Sequence, residues 1–272
     1  MRASVVIESS HNPRFRSALA LRESRERRET GRILVDGGRE IDRALASGIR
    51  ALELWVAPEL VRDREAVRAV RAAETADVAT VQVSAELLRK LAFGDREDGV
   101  VLVAHAPSTT LADLDLPPGA LVGVVETIEK PGNLGAILRS ADGAGLDALI
   151  VADPRSDPWN ANAIRASMGT VFTMPLAVCT AEEALDLLRA DGIRIAAARV
   201  DGSLPYSAAD LTGPLAIVLG SEADGLSEAW EGPDVTAIHI PMLGIADSLN
   251  VSVSAAILFY EARRQRDAAG VG

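Results

Sequence analysis

Three segments of this chain set polar side chains directly after apolar, strand-like runs, where α/β proteins display their binding groups. The first is ETIEKPGNLGAILRSADGAG, residues 126–145. Pro131 and Gly132 make a turn, Asn133 is placed to cap a helix, and Leu134, Ile137, Leu138 and Ala141 form its apolar stripe. Arg139, five residues from Leu134, falls roughly 140° round at about 3.6 residues per turn, away from that stripe. The second is LGSEADGLS, residues 219–227: a strand end, a glycine turn, then Glu222 in a loop. The third is IPMLGIADSLNVSVSAAILFYEA, residues 240–262, where a strand gives way to a loop and a capped helix. Ser248 and Asn250 stand at that helix start, where side-chain caps and free N–H groups can bind a ligand carboxylate. Each segment alone also reads as an ordinary turn. Three in one sheet are a stronger sign of a pocket.

The common signatures are missing. There is no GxGxxG after a strand, no GxxxxGK[ST], no HExxH, no CxxC and no GxSxG. Their absence disfavours a dinucleotide fold, a kinase-type phosphate loop and the common Rossmann methyltransferase. His11, His105 and His239 are scattered, and His239, inside a strand, reads as a core or edge residue. Cys179 is the single cysteine. It makes no internal disulfide and no metal framework, which points to a reducing, cytoplasmic setting.

The elements that must position these loops alternate along the chain. Ahead of residue 105 come an arginine-rich helix (14–30), strands at 33–35, 51–56, 78–83 and 99–104, and helices at 37–46, 59–75 and 84–91. That alternation predicts a small α/β sandwich domain over residues 1–105. HAPSTTLADLDLPPGA, residues 105–120, has three prolines and no helical period; it marks a linker at 106–119. Beyond it, apolar strands at 120–125, 148–152, 171–172 with its flanks, 193–198, 215–219 and 236–240 alternate with helices at about 133–144, 160–167, 181–191 and 248–266. Buried strands of this kind predict a mostly parallel sheet in a second domain, 120–272.

Composition fits a globular chain of 272 residues, 48% hydrophobic and 25% charged. No apolar stretch approaches the ~20 residues needed to span a bilayer, so no membrane partner is expected. The first residues, MRASVVIESSHNPRFR, hold only the run Val5–Ile7 before polar residues resume and do not read as a signal peptide. Net charge is −11, but it is uneven: residues 1–105 sum to +1 and residues 106–272 to −12. Residues 11–32 carry seven arginines against three glutamates. Such a cluster suits phosphate contacts whatever the total charge. It also suits a solvated helix with Arg22–Glu26 and Arg25–Glu29 pairs. Charge alone leaves both open.

Taken together, PGNLGAILR, LGSEADGL and IPMLGIADSLNVSVSAAILFYE resemble the three signature motifs of the SpoU (TrmH-type) RNA 2′-O-ribose methyltransferases. RASMGTVFTMPL (165–176) resembles the family's segment between the first two motifs, and NPRFRSALAL with the following alternation resembles the ribosomal-protein-like RNA-binding domain often fused in front. The chain departs from the pattern at Glu129-Lys130, where many members carry an aspartate; that bears on substrate choice.

The resemblance implies an α/β SPOUT-type fold with a deep trefoil knot, a feature periodicity cannot reveal and one rare among folds. It implies a homodimer and S-adenosylmethionine as methyl donor, with S-adenosylhomocysteine as product and no metal. Leu219, Gly220, Ile240, Met242, Ser248 and Leu249 would line the donor pocket, and Asn133, Arg139, Glu222, Ser248 and Asn250 would form the catalytic set. The front domain favours structured 23S ribosomal RNA as substrate, with tRNA, or a non-catalytic RNA-binding role, as alternatives. Arg14, Arg16, Arg25 and Arg28 are the expected RNA contacts. The family gives the activating role to Arg139. A guanidinium keeps its proton up to a pKa above about 12, so its preferred physical role is to bind the target phosphate and stabilise the incipient alkoxide.

Overall fold

The computed structural model describes residues 5–94 and 97–270; residues 1–4 and 95–96 of the expected first domain and 271–272 of the second lie outside them. The chain divides into two compact units, one of residues 1–107 with 157–173, the other of residues 108–156 with 174–272.

The first unit is built on a five-stranded sheet of β1 (Val5–Ile7), β2 (Arg32–Asp36), β3 (Ala51–Val56), β4 (Ala79–Val83) and β5 (Val100–His105), in the order β1-β4-β3-β5-β2. Only β5 runs against its neighbours. Helices α1 (Pro13–Ala20) and α5 (Ala85–Leu91) bury Phe15, Leu87 and Leu91 on one face, against Leu34, Trp55, Val81 and Val101. Of the remaining helices, α3 (Gly38–Ala46) and α4 (Arg64–Thr75) pack on each other and on β5. The predicted single arginine-rich helix is two, α1 and α2 (Ser24–Thr30). Three successive i→i−3 turns close α1 at Leu21, Arg22 and Glu23. The break lets Leu21 bury and sends Arg22 to the Lys90 and Ala92 carbonyls, over the Phe93 ring, instead of to Glu26.

The sheet of the second unit starts at β6 (Leu121–Glu126); the chain continues through α6 (Pro131–Ala144) to β7 (Ala148–Ala152), then enters the first unit as α7 (Ala161–Ala166). It returns as β8 (Leu176–Cys179), α8 (Ala181–Ala190), β9 (Arg194–Ala198), β10 (Leu204–Pro205), β11 (Leu215–Leu219), β12 (Val235–His239) and α9 (Val251–Ala269). Seven strands, all parallel, take the order β10-β12-β9-β11-β6-β7-β8. One sheet face buries Val122, Ile150, Ile195 and Val218 with Leu185 and Leu188 of α8. Over the other lie α6 and α9. Gly123 leaves the room that Phe259 of α9 takes, since a Cβ there would sit 3.0 Å from the ring.

Two expectations need correction. Residues 108–119 are not a free linker: Leu111, Leu114 and Leu116 pack on the core of the second unit, and Val178 donates to the Thr109 carbonyl at 2.7 Å. Residues 171–172 are not a strand, but part of a 3-10 turn, Thr170–Phe172, inside the excursion 157–173. Left-handed Met168 and Gly169 force that turn, and Phe172 stacks on Trp159 with centroids 5.9 Å apart. Pro175 then precedes the true strand β8.

The excursion is anchored by Arg27. Its side chain, 4% exposed, donates to Asp157 at 2.7 Å and to the Leu21 and Arg22 carbonyls. One of the seven clustered arginines is therefore an internal strut. Arg27→Ala strands a carboxylate and two carbonyls, and a broken buried pair of this kind costs ~3–5 kcal/mol. Urea unfolding should show that loss, whereas exposed Arg28→Ala should stay within about 0.5 kcal/mol of the parent.

Candidate active site

Parallel strands send their carboxyl ends the same way, so the loops after β6, β9, β11 and β12 gather along one side of the second sheet. β11 ends at Leu219, and the next residue, Gly220, has no room for a side chain: a Cβ would lie 2.1 Å from the Gly225 carbonyl oxygen. The turn beyond closes on itself, with Ser221 N–H donating to Gly225 O and Gly225 N–H to Ser221 O, at 3.1 and 3.2 Å. Left-handed Gly225 and the Ser221 hydroxyl, 3.0 Å from Asp224 N–H, complete it. Glu222 sits at its tip.

Between this turn, the 240–249 loop and the start of α9 lies a cavity of about 570 Å³. Its wall includes Leu219, Gly220, Ile240, Met242, Ser248 and Leu249, so the structure brings together all six residues expected to line a pocket. Residues 198–201 complete the wall. They were not foreseen, because the run GIRIAA carried no polar motif. Arg199 there donates to Asp201 at 2.9 Å and to Glu231 at 2.7 Å. Those carboxylates raise its already high pKa, and Asp201 is held below the usual carboxylate range by the same bond. His239 lies on this wall too, in an interior strand, with a buried Nδ1 that has no partner among the described residues.

Glu222 is the meeting point of the predicted catalytic set. Its Oε1 accepts from Asn133 Nδ2 at 3.2 Å and from Asn250 Nδ2 at 2.5 Å, while Oε2 accepts from Lys130 Nζ at 2.9 Å. Lys130, the Val251 N–H and Asn133 together hold the Glu222 carboxyl below the usual carboxylate range, Lys130 most. Asn250 Nδ2 also donates to Asn133 Oδ1 at 3.2 Å, and Asn250 Oδ1 caps α9 by accepting from the Ser252 N–H and hydroxyl. Asn133 does not cap α6: the helix opens with Pro131 at its first turn after Lys130, which frees the Asn133 amide for Glu222. Ser248 shares the cavity wall with Glu222. Arg139 stays outside the network, exposed on α6 and with no ion pair or side-chain hydrogen bond among the described residues.

Glu126 was missed. It closes the apolar run ALVGVV, is 1% exposed, and accepts from Ser227 N–H (2.8 Å), Ser227 hydroxyl (2.6 Å) and Trp230 Nε1 (3.1 Å). It ties the segment after the Glu222 turn to the end of β6. The available signal was a lone acid ending a buried strand. Cys179, pushed up to about 11 by burial and by Glu183 and Asp153, is a neutral thiol at pH 7. Among the described residues, no group of three or more His, Cys, Asp or Glu is arranged to hold a metal ion, and no helix is long and apolar enough to cross a membrane.

Comparison with known proteins decides the family. The SpoU rRNA Methylase family model matches residues 120–260, and an MRM3-like substrate binding domain matches residues 12–102. The chain belongs to the SpoU rRNA methylase family. It is 33% identical over 271 residues to the 23S rRNA (uridine(2479)-2′-O)-methyltransferase of Streptomyces viridochromogenes, covering 95% of this chain and 92% of that one. A solved RNA 2′-O ribose methyltransferase superposes with a TM-score of 0.84 at 39% identity, over 96% of this chain and 99% of that one. The SpoU methyltransferase AviRb from Streptomyces viridochromogenes, solved with its cofactor AdoMet, superposes with a TM-score of 0.85 at 29% identity, over 94% and 99% of the two chains.

Within this SpoU chain, Glu126→Gln puts an amide donor opposite donors that need an acceptor. Hydrogen bonds to a buried charge are worth about 1.5–3 kcal/mol each. The variant should lose at least about 2 kcal/mol in urea titrations followed by tryptophan fluorescence, and Glu126→Asp, which keeps the charge, should lose less.

Proposed function

We propose that this chain transfers methyl groups from S-adenosylmethionine to a ribose 2′-oxygen of 23S ribosomal RNA. The observation that carries the reading is the meeting of Asn133, Glu222 and Asn250, one from each motif, beside the cavity. At about 570 Å³ the cavity lies within the ~300–1,000 Å³ typical of cofactor sites. Leu219, Gly220, Ile240, Met242, Ser248 and Leu249 would hold the donor there, largely through the backbone of the two loops. AviRb, solved with AdoMet, supports the choice of donor. The bound donor supplies an electrophilic methyl group and leaves as the thioether S-adenosylhomocysteine.

The chain's own task is then positioning and electrostatics. Glu222 accepts from donors on both oxygens and acts as a tie between the motifs. Asn133 and Asn250, fixed by it, face the reacting ribose. Arg139, exposed and unpaired, is free to grip the target phosphate and stabilise negative charge growing on the 2′-oxygen. The same reading includes the knotted C-terminal passage, action in the cytoplasm and a homodimer. For the dimer, Val253 (47% exposed) and Tyr260 (52%) lie seven residues apart on α9, one apolar face that a second copy would cover.

RNA affinity is assigned to the first unit. Arg14 is partly engaged by Glu53 and Arg25 by Glu29, whereas Arg16 and Arg28 are exposed and unpaired among the described residues. Neutralising Arg16 and Arg28 together should flatten the dependence of log K on log salt by roughly 0.7–0.9 for each phosphate that these side chains neutralise. An unaltered slope in filter-binding titrations would remove them from the interface.

Tritium transfer from labelled S-adenosylmethionine to ribosomal and transfer RNA tests the reading itself. Label in 23S RNA at a ribose supports it; label confined to tRNA moves the substrate, and donor binding without transfer marks a non-catalytic RNA binder. In that assay Arg139→Ala should keep donor affinity in calorimetry and lose turnover by ~10²-fold or more.

A further inference from the structure

Lys130 gives Glu222 its only charged donor among the described residues. The division of labour at that carboxylate is specific: Oε2 takes the ammonium, and Oε1 takes both asparagine amides. The two carboxylate oxygens are equivalent and the terminal torsion of a glutamate is broad, so nothing in the side chain itself holds the carboxylate plane with one oxygen aimed at both amides. An ammonium on Oε2 does. Asn250 then carries the constraint into α9, because its Oδ1 caps the helix through Ser252.

We propose that Lys130 is a positioning residue for methyl transfer, pinning Glu222 so that Asn133 and Asn250 stay fixed beside the cavity. The proposal rests on the methyltransferase reading above.

The surrounding charges leave that pairing intact. Glu129, adjacent in sequence, is taken up by Arg155 from the loop after β7, at 2.5 Å. The same guanidinium reaches Asp224, on the Glu222 turn, at 3.3 Å. Both carboxylates that could draw Lys130 away are thus engaged. Asp247, on the cavity wall, makes no side-chain bond among the described residues. From α9 the Val251 N–H and the Asn250 amide face Glu222, and both favour its ionised form.

The pair gives the network a pH dependence of known sign. Glu222 is held below its ordinary range, most by Lys130, so the ionised network persists down to that lowered pKa and is lost as pH falls through it. Without the ammonium, the loss begins at higher pH.

Lys130→Met removes the charge and keeps the length; Lys130→Arg keeps the charge. Both would be made in the full chain and assayed with S-adenosylmethionine and a 23S RNA transcript across pH. The Met variant should lose at least about tenfold in kcat at neutral pH, the scale on which misplaced catalytic groups act. Its donor Kd should stay within about threefold of the parent, and the acid limb of its kcat profile should move to higher pH. The Arg variant should recover most of the activity. Parental kcat and acid limb in the Met variant, or equal losses in both variants, would overturn the proposal. Carboxyl NMR titration of Glu222, with the side-chain amide signals of Asn133 and Asn250, reads the same network without turnover. A higher titration point and shifted amides in the Met variant support the proposal, and an unchanged titration overturns it. A parent chain that transfers no methyl counts against the proposed function alone, since the titration still decides the role of Lys130.

Discussion

A carboxylate whose two oxygens both accept from donors in distant parts of the chain can hold those parts together. Glu222 is in that position: 92 residues of sequence separate it from Lys130, 89 from Asn133 and 28 from Asn250. The parallel polarity of the second sheet makes the meeting feasible, because β6, β11 and β12 all deliver their following loops to one side. Sheet polarity sets the approach to within a loop's reach, and the Glu222 bonds fix the remainder. The Glu126 contacts at the end of β6 do the same for the segment behind the turn, this time away from solvent and with an indole and a hydroxyl as donors. Cavity shape follows from those two anchors, since residues 219–226 form one wall and are held at both sides.

Much of this was legible because parallel strands buried on both faces leave unbroken apolar runs. ALIVA (148–152) and LAIVL (215–219) match β7 and β11 residue for residue. The polar residues of the three motifs then had to lie at strand ends, and all six expected pocket residues do line one cavity. Periodicity failed where a short apolar stretch serves a turn. TVF at 170–172 has strand composition, yet Gly169 with φ +84° directs the chain into a 3-10 turn. Asn133 was misread for a related reason. Capping propensity is a local preference worth ~1 kcal/mol, and a tertiary carboxylate overrode it once Pro131 had started the helix.

The arginine cluster shows what charge counting leaves out. Seven arginines within residues 11–32 look alike in sequence, but folding assigns them different work. Arg27 is a buried strut to Asp157, Arg22 closes the end of α5 against Phe93, and Arg14 meets Glu53. Asp157, 130 residues away, takes the charge of buried Arg27 out of any solvent-facing count, and two backbone carbonyls tie down the half-buried Arg22. Only the cations left exposed can release counterions when phosphate binds. The effective basic surface is therefore smaller than the local +4 suggests. It is also better defined, since the struts hold the backbone that carries the free arginines.

The bonds on Glu222 also bear on how the proposed reaction handles its proton. A general base needs a lone pair aimed at the substrate hydroxyl and a pKa near the working pH. Glu222 has its oxygens turned to Lys130, Asn133 and Asn250, and its carboxyl is held below the ordinary range. Arg139 is a cation by chemistry, so it stabilises an oxyanion more readily than it accepts a proton. A sulfonium donor makes this sufficient. Its leaving group departs as a neutral thioether and needs no acid, and the 2′-hydroxyl proton, made acidic as the O–CH3 bond forms and the S–CH3 bond breaks, passes to solvent water; the barrier is then set by alignment of the 2′-oxygen and by the field at that atom as negative charge develops. In the proposed reaction both would come from fixed groups: the alignment from the asparagines by way of Glu222, and the field from Arg139, which no carboxylate among the described residues pairs.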